Sequence, residues 1–384
     1  MENKLSKEKI AWLVEEFKWF HAHPEISYEE VNTTARLREN LTKLGIKILD
    51  LPLKTGLVAQ IGAEDNAPVA VLRADIDALP VTEQTDLSYK SVNKGKMHAC
   101  GHDFHMSALL GAAMLLKEDE ERLKGALKIV FQLSEENPGG ALKIIDTGAL
   151  DDAQVIFGIH SSPVLDVGET GISAGAVTAS VDKFVITFFG RGTHAAHPEE
   201  GVDPVFMAAQ FVNAAQTIRT QNISPFAPNI VGVTKINTDN LWNVVPEKAV
   251  LEGTVRSLSV ADRKLIKERI VSLAQNIGAA FGGASEIVWG DGAPPTDNDV
   301  TWTEFAARTA QKKGLCVVPA PHTLIGEDFA YYQEKIPGVF ALFGTGKSSA
   351  LHSSTFCVKP EALPLAAEYL AELGAGALKI LNQS

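Results

Sequence analysis

Glu135 and Glu136 stand side by side after the apolar run Leu127-Lys128-Ile129-Val130-Phe131, and a His98-Ala99-Cys100-Gly101-His102-Asp103 cluster lies upstream of them. Neighbouring side chains of a strand point to opposite faces. Where a strand opens into a loop, however, both can turn toward one site, one carboxylate holding a metal ion and the other moving protons. Cys100 and His102 are two apart, with Asp103 and His105 close by, a density of donors that suits zinc, manganese, cobalt or nickel. The pattern is neither a Cys-x-x-Cys zinc ribbon nor a His-Glu-x-x-His helix. Paired glutamates usually lie on solvated faces, but these precede Asn137-Pro138-Gly139-Gly140 and so read as loop residues at the end of a buried strand. The combination predicts a metal site with its own general base, which is hydrolase chemistry.

The elements that must position these residues follow from hydrophobic period. Ile10, Leu13, Val14, Phe17 and Phe20 share one helical face, and a second helix is expected near Ser27, with Glu30 completing a capping box. Apolar, β-branched runs at 56–61, 69–74, 127–131 and 155–160, with a helix at 107–116 between the second and third, predict a largely parallel sheet covered on both faces. Asp75 and Asp77 follow the second run, Glu135 and Glu136 the third, and His160 closes the fourth. Ligands in open α/β sheets collect at the carboxyl ends of strands, so these residues should converge.

From about Ser173 the texture changes. A strand at 183–189, a helix at 204–220, strands at 229–236 and 249–255 and a helix at 262–281 describe an inserted α+β unit of βαββαβ order. After Trp289 the alternation of sheet and helix resumes, with a strand at 339–343 and a last helix opened by Pro360. The expected fold class is therefore α/β, a catalytic domain with a mostly parallel sheet flanked by helices, formed by residues 1–172 and 287–384, plus an inserted α+β domain over 173–286. His194 lies in a Gly-rich turn, Gly190-Arg191-Gly192-Thr193-His194, and His352 follows the late strand. From the residues alone, each stays open between a turn histidine and a site residue.

Length and composition set the limits. A chain of 384 residues exceeds what one core usually serves, which makes two domains the expectation. A net charge of −12 argues against nucleic acid as a partner, since duplex binding needs a basic surface, and nothing suggests a membrane partner. The first residues run into an amphipathic helix without the apolar core of a signal peptide, so a cytoplasmic location is expected. Three cysteines are too few for a disulfide framework, and Cys316 and Cys357, set among apolar residues, are expected to be buried and inert.

Taken in order, His21-Ala22-His23-Pro24-Glu25, Arg73-Ala74-Asp75-Ile76-Asp77-Ala78-Leu79-Pro80, Met97-His98-Ala99-Cys100-Gly101-His102-Asp103, Glu135-Glu136, the Gly-Thr-His turn, Asn243-Val244-Val245-Pro246, Gly253-Thr254-Val255-Arg256, Gly326-Glu327-Asp328-Phe329 and Leu351-His352 resemble the amidohydrolase branch of the aminoacylase/carboxypeptidase metallopeptidase family. That branch holds hippurate hydrolase, N-acyl-amino-acid amidohydrolases, plant auxin-conjugate hydrolases and N-acetyldiaminopimelate deacetylase. The resemblance implies two divalent metal ions bridged by Cys100, with His102, Glu136, His160 and His352 as further ligands. It implies Glu135 as base, Asp77 as the group that orients a ligand, and His194 as the oxyanion donor, often across a dimer. Asn243 and Arg256 match positions that hold a substrate carboxylate. The reaction implied is hydrolysis of an N-acyl amino acid by a homodimer joined through the inserted domain. A dipeptidase or carboxypeptidase of the same family, or an N-acetyldiaminopimelate deacetylase, is the alternative, and a non-catalytic binding module the reading from another class. Leu133-Ser134 stands where Pro-Ala usually precedes the two glutamates, a departure that bears on substrate identity.

Overall fold

A computed structural model describes residues 5–63, 67–137, 139–290, 292–321 and 323–383, so Pro138 of the expected loop and the first four residues lie outside the described residues. The chain divides into two compact units, one of Met1–Val177, Asp297–Pro321 and Asp328–Ser384, the other of Thr178–Thr296 and His322–Glu327. The expected boundary at 286/287 falls inside the strand Ala284–Gly290, which pairs along its whole length with Ser180–Phe189 of the second unit. A boundary there would break a ladder of backbone hydrogen bonds, and the second unit accordingly continues to Thr296.

Among the described residues, the first unit is built on an eight-stranded sheet. Its four central strands, Ala126–Gln132, Val69–Asp75, Val155–Ser162 and Gly338–Gly344, run parallel to one another. Every residue of these strands is buried, as their near-continuous apolar sequences require of a sheet covered on both sides. The two faces separate with a period of two. Ala70, Leu72 and Ala74 join one core with Leu127, Ile129 and Phe131, whereas Val71 joins another with Val130 and Ile156. The first core takes Leu13, Phe17 and Phe20 from the helix Lys7–Ala22, together with the helices His102–Glu118 and Ala362–Leu381. The second takes Ile144, Ile145 and Tyr332 from the short helices Gly140–Ile145 and Ala330–Gln333.

The second unit has the expected βαββαβ order, with a four-stranded antiparallel sheet in the spatial order 229–237, 248–257, 180–189 and 284–290. Helices Pro204–Thr217 and Val260–Ala280 supply Met207, Phe211, Ile266 and Ile270 to a core with Phe184, Ile186 and Phe188. The buried carboxylate of Asp182 is held by Arg263 through two hydrogen bonds, at 2.7 and 2.8 Å.

Three expectations are corrected. The second helix begins at Val31 rather than near Ser27, because Ser27 and Glu30 are engaged elsewhere and the carboxylate of Glu25 accepts the Asn32 and Thr33 amides instead. The helix expected from Ser107 begins at His102, its first turn carrying polar residues that hide the apolar period. Cys316 is exposed, because it opens the short strand Cys316–Val318 at the edge of the sheet, and Cys357 is half-buried. Among the described residues no helix is long and apolar enough to cross a membrane.

Candidate metal centre

The carboxyl ends of the central strands bring Asp75, Asp77, Glu135, Glu136 and His160 to one end of the sheet, and the helix His102–Glu118 starts among them. Gly101, at φ +84°, makes the turn between Cys100 and that helix, and a Cβ there would be driven into the Ser161 side chain. Two groups of donor atoms, each within 4.8 Å of one another, share Cys100: one is Cys100, His102 and His160, the other Cys100, Glu136 and His352. All five residues expected as ligands therefore gather, and Glu135 groups with His102 and Glu136.

The imidazoles are oriented from behind. His160 donates from Nδ1 to the Ser161 carbonyl at 2.8 Å, leaving Nε2 3.4 Å from the Cys100 sulfur. His102 Nδ1 faces Asp77 Oδ1 at 3.3 Å, and its Nε2 lies 3.9 Å from Glu136 Oε1. His352 Nε2 approaches the same Glu136 oxygen at 3.2 Å, from a residue in the left-handed region at φ +65° whose amide donates to Ala99. A histidine turned by a carboxylate or carbonyl so that its other nitrogen meets a shared centre is the arrangement that metal ligands adopt. His105, by contrast, has both nitrogens engaged, Nδ1 with Asp75 at 2.6 Å and Nε2 with the Ser161 amide at 2.7 Å. It therefore supports the site from behind rather than offering a free donor.

The charges agree with this reading. Burial opposes a charge on His102, but the carboxylates of Asp75 and Asp77 outweigh it and push its pKa up to about 10. Burial and the neighbouring His105 push His160 down to about 3, which keeps its imidazole neutral. Burial, with Glu136 and Glu135 nearby, raises the Cys100 thiol well above its ordinary value. His102 Nε2 is fully buried with no hydrogen-bond partner among the described residues. Thiol, imidazole and carboxylate donors in excess of nearby positive charge, with a buried nitrogen left unpaired, fit borderline divalent cations, and cation binding would stabilise the thiolate and displace the His102 proton.

Asp77 was expected as an orienting group, but the partners that hold it and the network around Arg73 escaped the sequence reading. Asp77 accepts hydrogen bonds from Ser27 Oγ at 2.7 Å and from the Glu135 and Glu136 amides at 3.0 Å each. Arg73, buried on the second face of the sheet, donates to Gln132, Asp75 and Asp328 at 2.7 to 2.8 Å. The available signal was a charged residue within a continuous apolar strand, which folding tolerates only when that charge is paired. In the second unit, His194 and Val244 are opposed in a two-stranded ribbon, and the Asn243 carbonyl accepts the Ala195 amide at 3.0 Å. Arg256 is half-buried on the strand Lys248–Ser257.

The comparisons with known proteins agree with the fold and with the binding of two metal ions. Residues 71–375 match the model of Peptidase family M20/M25/M40. The chain is 44% identical to N-acetyl-L-cysteine deacetylase of Bacillus subtilis, over 92% of this chain and 85% of that protein. It is 35% identical to thermostable carboxypeptidase 1 of Saccharolobus solfataricus, over 93% of each. The crystal structure of a Bacillus subtilis dinuclear metal binding peptidase from the M20 family superposes with a TM-score of 0.89 at 38% identity, covering 97% of this chain and 99% of that one. An α/β sheet with clustered metal donors at its carboxyl edge defines a metal-dependent hydrolase. The chain belongs to peptidase family M20/M25/M40, whose members are metal-dependent amidohydrolases and peptidases.

Beside the cluster, His21 bridges Asp103 at 2.6 Å and Glu83 at 3.1 Å. Burial alone would lower its pKa, but the hydrogen bonds to Asp103 and Glu83 push it up to about 9. Because the folded value lies above the unfolded value of about 6.5, the stabilisation is fully present below that pH and disappears as pH rises through about 9. Urea unfolding should therefore show the wild-type protein losing ~3 kcal/mol across this window relative to His21→Gln. Parallel stability curves for the two proteins would show that His21 is not held protonated.

Proposed function

We propose that this protein hydrolyses the amide bond of N-acyl-L-amino acids, using two divalent cations held by Cys100, His102, Glu136, His160 and His352. The observation that carries the reading is the pair of donor groups sharing Cys100, with Glu135 next to them as a carboxylate outside both. Zinc, manganese, cobalt and nickel all suit this donor set. When bound, the cations would supply Lewis-acid polarisation of the acyl carbonyl and lower the pKa of water toward about 7.

Glu135 is the base. It takes a proton from water as the oxygen adds to the acyl carbon, and it returns that proton to the nitrogen as the C–N bond breaks, yielding a carboxylic acid and a free amino acid. Asp77 holds His102 from behind through Nδ1. His194 would donate to the tetrahedral oxyanion, an interaction worth on the order of 3 kcal/mol. Arg256, with Asn243, would hold the α-carboxylate, bidentate pairing being the natural use of a half-buried guanidinium.

The relative named for N-acetyl-L-cysteine supports an acyl amino acid as substrate. A carboxypeptidase is the second reading, supported by the archaeal relative of that name. An N-acetyldiaminopimelate deacetylase would use the same chemistry on a different amino acid. A panel of N-acetyl and N-benzoyl amino acids, acetyl-diaminopimelate and dipeptides distinguishes them, since only a peptidase would turn over the dipeptides best. Within this reading the second unit, Thr178–Thr296 with His322–Glu327 rather than the expected 173–286, is the lid and dimerisation domain. Phe226 and Trp242, each 94% exposed, are the kind of apolar surface that a second copy would cover. Light scattering at the mass of one chain would remove the dimer.

Glu135→Gln should lower kcat by about 10²- to 10⁴-fold while metal content, measured on the purified protein, stays unchanged. Turnover near the wild-type rate would rule out Glu135 as base. Cys100→Ser should weaken metal retention during dialysis against a chelator, and retention equal to wild type would refute a bridging thiolate. Arg256→Ala should raise KM for an acyl amino acid by about 10- to 100-fold and leave KM for its carboxamide unchanged. Equal effects on the two substrates would count against carboxylate recognition.

A further inference from the structure

Three consecutive amides at the entrance to the glutamate loop are each held by a buried carboxylate. The Ser134 amide donates to Glu30 Oε1 at 2.8 Å, and the Glu135 and Glu136 amides donate to the two oxygens of Asp77 at 3.0 Å. Ser134 is in the left-handed region at φ +49°, a conformation that costs a non-glycine residue on the order of 1 kcal/mol and persists only where surroundings impose it. Its hydroxyl closes the loop by donating to the Asn137 carbonyl at 2.8 Å. Glu30 is fully buried, and its side chain makes no capping hydrogen bond to its own helix, which is capped by Glu25. The Glu30 carboxylate is thus spent on the loop rather than on the helix that it precedes.

We propose that Glu30 is a positioning residue for the catalytic loop. By anchoring the Ser134 amide it holds that residue in the left-handed turn from which Glu135 and Glu136 both face the donor cluster. The inference rests on Glu135 being the base, as proposed above. A hydrogen-bond acceptor at the reach of a glutamate is what the geometry demands, so acceptor position rather than charge should matter.

Two conservative variants separate these. Glu30→Gln keeps a carbonyl acceptor at the same reach without the charge, whereas Glu30→Asp keeps the charge but withdraws the acceptor by about 1.5 Å. With full-length, metal-loaded protein, Glu30→Asp should lose 10- to 100-fold in kcat with KM within about twofold, and Glu30→Gln should stay within about threefold of wild type. Hydrogen–deuterium exchange should run about tenfold faster at residues 134–136 in Glu30→Asp and remain slow in Glu30→Gln. The proposal is overturned if both variants turn over like wild type, if Glu30→Gln is the more damaged, if both are equally damaged, or if exchange at 134–136 does not distinguish them. An active Glu135→Gln would sink the base reading instead, and the exchange measurement would still decide whether Glu30 anchors the loop.

Discussion

The carboxylate of Asp77 is the point on which the site is hung. It receives the Ser27 hydroxyl and two successive amides of the glutamate loop, and faces the Nδ1 of His102. An unpaired carboxylate at this depth would cost several kcal/mol and would neutralise itself rather than stay charged. Here burial is outweighed by the interaction with His102 and by hydrogen bonds from Ser27 and the loop amides, so the group stays ionised below its usual range. Three stretches of chain far apart in sequence thereby become fixed to one another before any substrate or cation is considered.

Asp75 sits two residues earlier on the same strand and serves a different end. Burial opposes its charge, yet His102, His105 and Arg73 hold it well below the ordinary carboxylate range. Arg73 in turn ties it to Gln132 and Asp328 on the second face of the sheet. Such a network is costly if any member is missing, because what remains is a buried charge with no partner. The parallel sheet explains the concentration. Its strands are covered on both faces, so polar side chains can be placed only at strand ends, or inside where a full set of partners is built for them.

Much of this was legible from residue type and period. The parallel strands and the βαββαβ unit come from local signals, apolar runs and alternation, and Cys100, His102, the two glutamates and His160 were marked by residue type and by their place at strand ends, whereas His352 stayed open from the residues alone and the full set of five ligands was implied by the family resemblance. The supporting shell was not legible. Ser27 and Glu30 carry the local pattern of a capping box, and nothing within four residues tells that their partners are Asp77 and the Ser134 amide. The first turn of the helix that bears His102 was likewise hidden, because its donors interrupt the apolar period by which helices are recognised. Exposure of Cys316 follows from its place on a sheet edge, which depends on strand order rather than on neighbouring residues.

The amino-acid sequence by itself determined which elements form and which side chains are able to bind a cation or move a proton, since both depend on residue chemistry and short-range spacing. Tertiary structure alone decided how those side chains are aimed: that both nitrogens of His105 are hydrogen-bonded while Nε2 of His102 is not, and that a serine adopts a left-handed turn so that two glutamates share a site. The reason is that orientation is set by hydrogen bonds between residues some 50 to 100 positions apart in the chain, as between Ser27 and Asp77 or Glu30 and Ser134, and these partners meet only when the sheet is assembled.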